Sequence, residues 1–193
     1  MNTDSRPALI TLLSQFGTLP ENVIANIEAV SQKMELPRKH ILLKKGKVCN
    51  HLYFIEKGLA RNFFEEDDKE MTNDITIDGE LLVSFASFIS RQPSLETIEL
   101  LEDSILYAIH YDDLQELYKT YPVMEHIGRM IAEYHYNSLV LKNYRLKFSN
   151  STERYENLFN SDIEIIKRVP IGIIASYLGM SIETLSRIRS KQD

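Results

Sequence analysis

The stretch IGIIASYLGMSIETLSRIRSKQD, residues 171–193, closes the chain and has the spacing of two short amphipathic helices that meet at Gly179. Counted from the start of this stretch, Ala175 is the fifth residue and Gly179 the ninth. A helix–turn–helix needs a small fifth residue, because the second helix crosses close to it, and a ninth residue that accepts positive φ. Ser181 is a good N-cap for the second helix. Apolar residues that would join the two helices are Ile174, Leu178, Met180, Leu185 and Ile188. The pattern therefore predicts a helix–turn–helix.

The polar residues of the second helix would face away from this apolar side. We expect DNA contacts from eight residues: Ser181, Ile182, Glu183, Thr184, Ser186, Arg187, Arg189 and Lys191. Arg187 suits O6 and N7 of guanine, and Glu183 suits the amino group of cytosine. Ser181, Thr184 and Lys191 suit phosphate groups.

Two observations bear on whether this module reads DNA or only packs. Ile182 lies at helical spacing from Leu185, so it either packs there or meets a thymine methyl group. A plain helical hairpin would show the same apolar spacing. The chain has a formal net charge of −6, but residues 167–193 hold five bases against two acids. The C-terminal tip is thus locally basic, which favours contact with DNA there.

Residues 36–110 are predicted to form an antiparallel barrel or sandwich. Short runs such as HILLKKG (40–46) and HLYFIEKG (51–58) are rich in Ile, Leu, Tyr and Phe and are separated by glycines and aspartates. Several strands with turn signals at short spacing are typical of such folds. The segment LLVSFASFIS (81–90) predicts a tight turn with a short helix, and residues 7–34 predict one or two short helices before the first strand.

A long helix is predicted over residues 122–148. At 1.5 Å per residue it would span roughly 39 Å, more than a small β domain can cover. The same helix of a second subunit is the simplest partner for its remaining apolar stripe, although a helix lying across its own barrel is the alternative. The polar break SNST (149–152) holds good N-cap residues. We therefore divide the chain into residues 1–121, 122–148 and 149–193.

The order of these elements resembles the CRP/FNR family of bacterial transcription regulators. The residues that carry the resemblance are Gly58, Asp78-Gly79-Glu80, the helix over 122–148 and IASYLGMSIETLSRI at 174–188. The resemblance implies an α+β fold: an N-terminal β jelly-roll domain of the cyclic-nucleotide-binding type, a long dimerisation helix and a C-terminal helix–turn–helix.

The resemblance also implies a homodimer through helix 122–148, DNA recognition from residues 181–191 and action beside RNA polymerase. Glu183 and Arg187 match the family's recognition helix, but Ile182 stands where its first Arg is expected. The operator sequence is therefore not transferable. The chain stops just after this helix, so we do not expect the family's β wing.

In family members that bind cyclic nucleotides, a Gly-Glu pair opens the phosphate cassette and a later Arg-small pair neutralises the phosphate. Gly79 and Glu80 match the first pair, whereas Ser94 and Leu95 stand at the second. The nearby charges belong to Glu96, Glu99 and Glu102, which have the wrong sign for phosphate.

Arg91 is a candidate for a displaced phosphate partner. The candidate ligand residues are Gly79, Glu80, Leu81, Phe85, Arg91, Ser94 and Leu95. We expect that cyclic AMP is not the ligand and that another small effector, or none, fills the barrel.

The remaining residues predict neither catalytic chemistry nor a metal site. Cys49 is the single cysteine, which excludes an internal disulfide and a Cys-based zinc site within one chain. His126 and His135 are nine residues apart, not the three or four that place two ligands on one helical face. Because no catalytic motif is present, we expect that the protein is not an enzyme.

The chain has no long apolar run and no secretory signal pattern, so we expect a cytoplasmic protein. The alternative function is a ligand-binding or protein-interaction module whose terminal hairpin does not bind DNA.

Overall fold

The structure is a computed structural model that describes residues 8–67 and 69–191. Within them, eight strands form two four-stranded antiparallel sheets. The strands are β1 (Gln32–Leu36), β2 (Ile41–Leu43), β3 (His51–Lys57), β4 (Leu59–Glu66), β5 (Lys69–Ile77), β6 (Leu81–Leu82), β7 (Glu96–Leu100) and β8 (Ser104–His110). Sheet 1 has the order β1-β8-β3-β6, and sheet 2 has the order β2-β7-β4-β5. The predicted antiparallel β domain is confirmed.

The first strand begins earlier than the sequence suggested. Residues 7–34 were expected to be helical, but β1 starts at Gln32 and pairs with β8 along its whole length. The helical prediction for residues 32–34 is therefore wrong. The strand at these residues depends on a distant partner, because Gln32 pairs with Ala108, which lies far along the chain. Short strands held by distant partners override local helical spacing.

Both sheets contribute to one hydrophobic core. Phe54 on β3 and Leu106 on β8 are buried against Ala60 on β4 and Ile98 on β7. The tight passage from β3 to β4 depends on Gly58, which has φ of +134° and whose added Cβ would lie 2.1 Å from the Ser104 hydroxyl. Only glycine accepts both constraints without strain.

Helices flank the barrel at both ends of the chain. The helices of the N-terminal two thirds are α1 (Ala8–Leu13), α2 (Glu21–Val30), α3 (Phe85–Ser90), α4 (Tyr111–Thr120) and α5 (Pro122–Phe148). The short helix expected after the turn at residues 79–80 is α3. Part of the predicted first segment, residues 1–7, lies outside the described residues, as do residues 192–193 of the last segment.

The long helix α5 starts on the barrel and then leaves it. Met124 and Ile127 are buried, and an added Cβ at Gly128 would lie 2.6 Å from the Tyr118 hydroxyl, so α4 and α5 approach closely there. Large apolar side chains from Tyr134 to Phe148 are exposed instead. Among the described residues, α5 and the other helices lack the length or the apolar run that crossing a membrane requires.

Four helices form the C-terminal part: α6 (Ser151–Ser161), α7 (Ile163–Arg168), α8 (Ile171–Tyr177) and α9 (Ile182–Arg189). Helix α6 begins with a capping box, in which the Asn150 side chain accepts from the Glu153 amide and the Glu153 carboxylate accepts from the Asn150 amide. The polar break in the sequence is thus a true helix start.

The C-terminal helices do not stand apart from the barrel. Leu59 on β4 and Ile75 on β5 share a buried cluster with Ile165, Ile174 and Leu185 from the C-terminal part. Helix α8 lies along β5, the edge strand of sheet 2. The helix–turn–helix is therefore positioned by sheet 2 as well as by α5.

Candidate functional site

The crossing of α8 and α9 has the geometry that the sequence predicts. Ala175 is buried, and Gly179 has φ of +63° in the turn between the helices. The Met180 amide donates to the Ala175 carbonyl at 3.0 Å, which closes the turn. Ser181 caps α9 by accepting from the Thr184 amide at 3.2 Å. The structure therefore contains a helix–turn–helix at residues 171–189.

The outward side of α9 is polar and open. Leu185 and Ile188 are buried beneath it, whereas Glu183 and Arg187 are exposed. Among the described residues, the Arg187 guanidinium makes no hydrogen bond and no ion pair. Of the other residues predicted to contact DNA, Ser181, Ser186 and Lys191 are exposed, and Thr184 and Arg189 are half-buried. The predicted set thus lies on one helix and its two ends.

Glu183 is held as an anion at the first turn of α9. Its own backbone amide and the Ser181 side chain act as hydrogen-bond partners of the carboxylate, and with the nearby Arg187 charge they hold the pKa below its ordinary value. The carboxylate is therefore an acceptor at neutral pH. This is the protonation state that contact with a cytosine amino group requires.

Ile182 combines the two alternatives that the sequence left open. An added Cβ on Gly172 of α8 would lie 3.5 Å from Ile182 Cδ1, so one side of the Ile182 side chain packs against α8. The side chain is nevertheless 48% exposed. An apolar surface therefore remains beside Glu183, where a methyl group could be contacted.

Arg168 ties the C-terminal helices to the barrel. Its guanidinium donates to the Glu102 carboxylate at 2.7 Å, to the Gly58 carbonyl at 2.9 Å and to the Asp78 carboxylate. Partial burial raises the pKa of Asp78, but the hydrogen bonds from Arg168 and from the Gly58 amide outweigh it, so the net pKa is lowered. A second tie lies at the edge of sheet 2, where the Thr72 amide donates to the Ser176 hydroxyl at 2.8 Å.

Arg154 joins the end of α5 to the turn of the helix–turn–helix. Its guanidinium donates to the Ser149 carbonyl at 2.7 Å and to the Leu178 carbonyl at 2.8 Å, with a longer bond of 3.4 Å to the Gly179 carbonyl. No sequence pattern predicts this role of Arg154, because the acceptors are backbone atoms. The contact links the direction of α5 to the position of α9.

Several of the barrel residues predicted to bind a ligand are engaged in contacts within the protein. Ser94 is buried and its hydroxyl lies 2.9 Å from that of Ser84. The same hydroxyl donates to the Glu96 carbonyl at 2.8 Å and accepts from the Glu96 amide at 3.1 Å. The next residue, Leu95, is 72% exposed. The partner of Ser94 is thus Ser84, one of the serines of the run at residues 81–90, which sequence reasoning missed.

The other candidate ligand residues serve different contacts. Arg91 donates to the Cys49 carbonyl at 2.6 Å and to the Asn50 side chain, and its guanidinium lies 3.9 Å from the centre of the Tyr111 ring. Phe85 stacks on His135 of α5, with ring centres 4.5 Å apart. Arg91 and Phe85 therefore hold the barrel to α4 and α5.

The predicted Gly-Glu pair, Gly79 and Glu80, also makes contacts of its own within the protein. Gly79 lies in the turn with φ of +84°, and Leu81 pairs with Phe54 within sheet 1. The Glu80 carboxylate accepts from the Ile77 amide at 3.0 Å. Burial, with the carboxylates of Asp162, Asp74 and Asp78 adding to it, raises the pKa of Glu80 to about 7. Glu80 therefore belongs to the junction with the C-terminal helices.

Comparison with known proteins agrees with this architecture. A family model for the cyclic nucleotide-binding domain matches residues 33–121. The anaerobic regulatory protein of Pasteurella multocida (strain Pm70) is 25% identical over an alignment of 184 residues that covers 89% of this chain and 67% of that protein. The resemblance of the chain to the CRP/FNR family of transcription regulators is thereby confirmed.

Solved structures share the fold at lower sequence identity. The c-di-GMP responsive global regulator CLP of Xanthomonas campestris has a TM-score of 0.68 at 21% identity, covering 90% of this chain and 91% of CLP. FixK2 of Bradyrhizobium japonicum has a TM-score of 0.70 at 16% identity, covering 84% of each chain. The likeness therefore extends over the barrel, the long helix and the C-terminal helices.

Proposed function

We propose that the chain is a dimeric, sequence-specific DNA-binding transcription regulator that reads DNA with α9. The observation that carries the proposal is the exposed Arg187, which has no partner among the described residues and lies beside Glu183, above the buried Leu185 and Ile188. A guanidinium of this kind can pair with a base edge without first breaking a contact to another described residue. The acidic remainder of the chain would keep DNA away from other surfaces.

A dimer through α5 would supply two such helices. The exposed side chains Tyr134, Leu141, Tyr144 and Phe148 follow one another at spacings of seven, three and four residues, the repeat of a helix–helix seam. Two recognition helices joined in this way would enter successive major grooves about 34 Å apart. We expect sedimentation to give the mass of two chains, and we expect action beside RNA polymerase.

The barrel is proposed to respond to something other than a cyclic nucleotide. The cyclic phosphate would need a cation near Ser94, but that hydroxyl is occupied by Ser84 and by the Glu96 backbone. The buried Arg61 of β4 is paired with Glu99 at 2.7 Å and with Glu70 at 2.6 Å. Cyclic AMP at millimolar concentration should leave DNA affinity unchanged.

The test is selection of an operator from random duplex DNA by the full chain, followed by affinity measurement with variants. Arg187→Ala should weaken the selected operator by about 1–3 kcal/mol and relax the preference at one base pair. Lys191→Ala should weaken selected and random duplexes alike, and less at high salt. Lys44→Ala, a change of the same charge on the barrel, is the control and should change little.

The proposal fails if no sequence is enriched and Arg187→Ala binds DNA as the wild type does. That outcome would favour a ligand-binding or interaction module with a terminal hairpin that does not read DNA.

A further inference from the structure

A groove of about 340 Å³ lies where three parts of the molecule meet: the C-terminal half of α5, helices α6 and α8, and strand β5. Its apolar walls are five leucines: Leu139, Leu141, Leu146, Leu158 and Leu178. Small-molecule sites commonly have this size and combine apolar walls with a few convergent polar groups. The groove is separate from the barrel position at Ser94.

Some polar groups of the groove already have hydrogen-bond or ion-pair partners, and others do not. Lys142 is paired with Asp74 at 3.2 Å and lies 4.4 Å from the centre of the Tyr177 ring, and Arg154 is bonded to backbone carbonyls. In the described part of the chain, the Arg145 guanidinium and the Tyr177 hydroxyl have no hydrogen-bond partner. Burial raises the pKa of Tyr177, so its hydroxyl stays a donor at neutral pH. The groove therefore offers one uncommitted positive charge and one uncommitted hydroxyl.

The proposed dimer seam borders the groove, because Leu141 belongs to both. With 3.6 residues per turn, Arg145 lies roughly a tenth of a turn from Leu141, whereas Lys142 and Leu146 lie roughly a third of a turn from it. A second subunit on the seam would therefore flank the groove at Leu141 and Arg145 and leave its wall at Leu146 uncovered.

We propose that this groove binds an amphipathic organic monoanion, with an apolar body and a single carboxylate or phosphate head. The head pairs with Arg145 and accepts a hydrogen bond from Tyr177, and the body lies against the five leucines. A charge-assisted pair in a partly desolvated groove gives the head its selectivity.

A ligand in this position would touch α5 and α8 together, and thereby favour one placement of the helix–turn–helix on the barrel. A ligand shifts such an equilibrium only by its different affinity for the two placements. This regulatory consequence rests on the proposed function, whereas binding itself does not.

Calorimetric titration of the full chain with sodium decanoate, without DNA, tests the site. The matched neutral probe is 1-decanol. Decanoate should bind the wild type at least about tenfold more tightly than decanol does, because the Arg145 charge pairs with the carboxylate. Arg145→Ala should remove that preference, and Tyr177→Phe should reduce it by a smaller factor.

Lys147→Ala is the control, since it removes an exposed charge two residues along on a different side of α5. It should leave decanoate affinity unchanged. The proposal is overturned by absence of binding at millimolar decanoate, by equal affinity of Arg145→Ala, by an equal loss in Lys147→Ala, or by equal affinity for decanol.

A second arm separates the site from the proposed function. Operator affinity with and without decanoate should differ for the wild type and not for Arg145→Ala. Binding in the calorimeter with unchanged operator affinity would overturn regulation while keeping the site. Failure to bind any operator would overturn the proposed function, and the calorimetric result would still decide the site.

Discussion

The helix–turn–helix matches the family pattern, whereas Ser94 of the barrel stands where that pattern has an Arg, and the two regions hold their polar groups in opposite ways. On α9, Glu183 and Arg187 face solvent, and the guanidinium has no partner among the described residues. In the barrel, Ser84 and Ser94 are 2% and 3% exposed and bond to each other. Exposed, unpaired groups remain available to another molecule, whereas buried, satisfied groups already stabilise the protein.

The largest effect is expected from breaking the core beneath α9. Leu185 is fully buried, so Leu185→Ala should lower the free energy of unfolding by about 2–5 kcal/mol and abolish operator binding. Urea denaturation followed by circular dichroism measures it. Leu95→Ala, which truncates an exposed leucine in the barrel, should change the free energy of unfolding by no more than about 0.5 kcal/mol. Equal effects of the two variants would contradict the buried role of Leu185.

The hydrogen bonds of Ser94 in the barrel can be removed without truncating a large side chain. Ser94→Ala leaves the Ser84 hydroxyl and the Glu96 backbone without their partner, so we expect a loss of about 1–3 kcal/mol in the free energy of unfolding. Ser90→Ala is the exposed control and should cost less. If Ser94 instead served a ligand, the variant would keep its stability and lose a ligand response.

The turn between α8 and α9 offers a glycine pair with opposite expectations. Gly179→Ala should cost about 1–2 kcal/mol, because an alanine at φ of +63° is strained. Gly172→Ala lies within α8, and its Cβ would make an ordinary 3.5 Å contact with Ile182, so stability should hold or rise by up to about 1 kcal/mol. Thermal unfolding of both variants checks the prediction. A loss in Gly172→Ala as large as in Gly179→Ala would mean that the helix crossing, not the turn, excludes side chains.

The smallest effect on the free energy of unfolding is expected at Glu80, at the junction between the barrel and the C-terminal helices. The pKa of Glu80 is raised to about 7, so the folded state keeps a proton that the unfolded state releases from about pH 4.5 upward. Stability from this group is therefore present at low pH and lost as pH rises to 7. Glu80→Gln keeps the acceptor for the Ile77 amide and should be more stable than the wild type at pH 8 but not at pH 5. Urea midpoints that differ equally at both pH values would contradict this.

Much of the helix–turn–helix could be predicted from the sequence because its determinants are local. Ala175, Gly179 and Ser181 act within one turn and two helices, where spacing alone states the geometry. The barrel site could not be predicted in this way. Glu80 follows a glycine as the family pattern requires, but its environment is set by Asp162 and Asp74. Ser84 gained its importance only by meeting Ser94 across a loop.

By itself the sequence determined the order of the elements, the long helix over 122–148 and the crossing of the last two helices, since periodicity and capping act between neighbours along the chain. Only the tertiary structure decided that β1 pairs with β8, that Arg168 joins the C-terminal helices to Asp78 and Glu102, and that Arg145 faces a groove. Those contacts join residues far apart in sequence, and their energies depend on burial and charge in three dimensions.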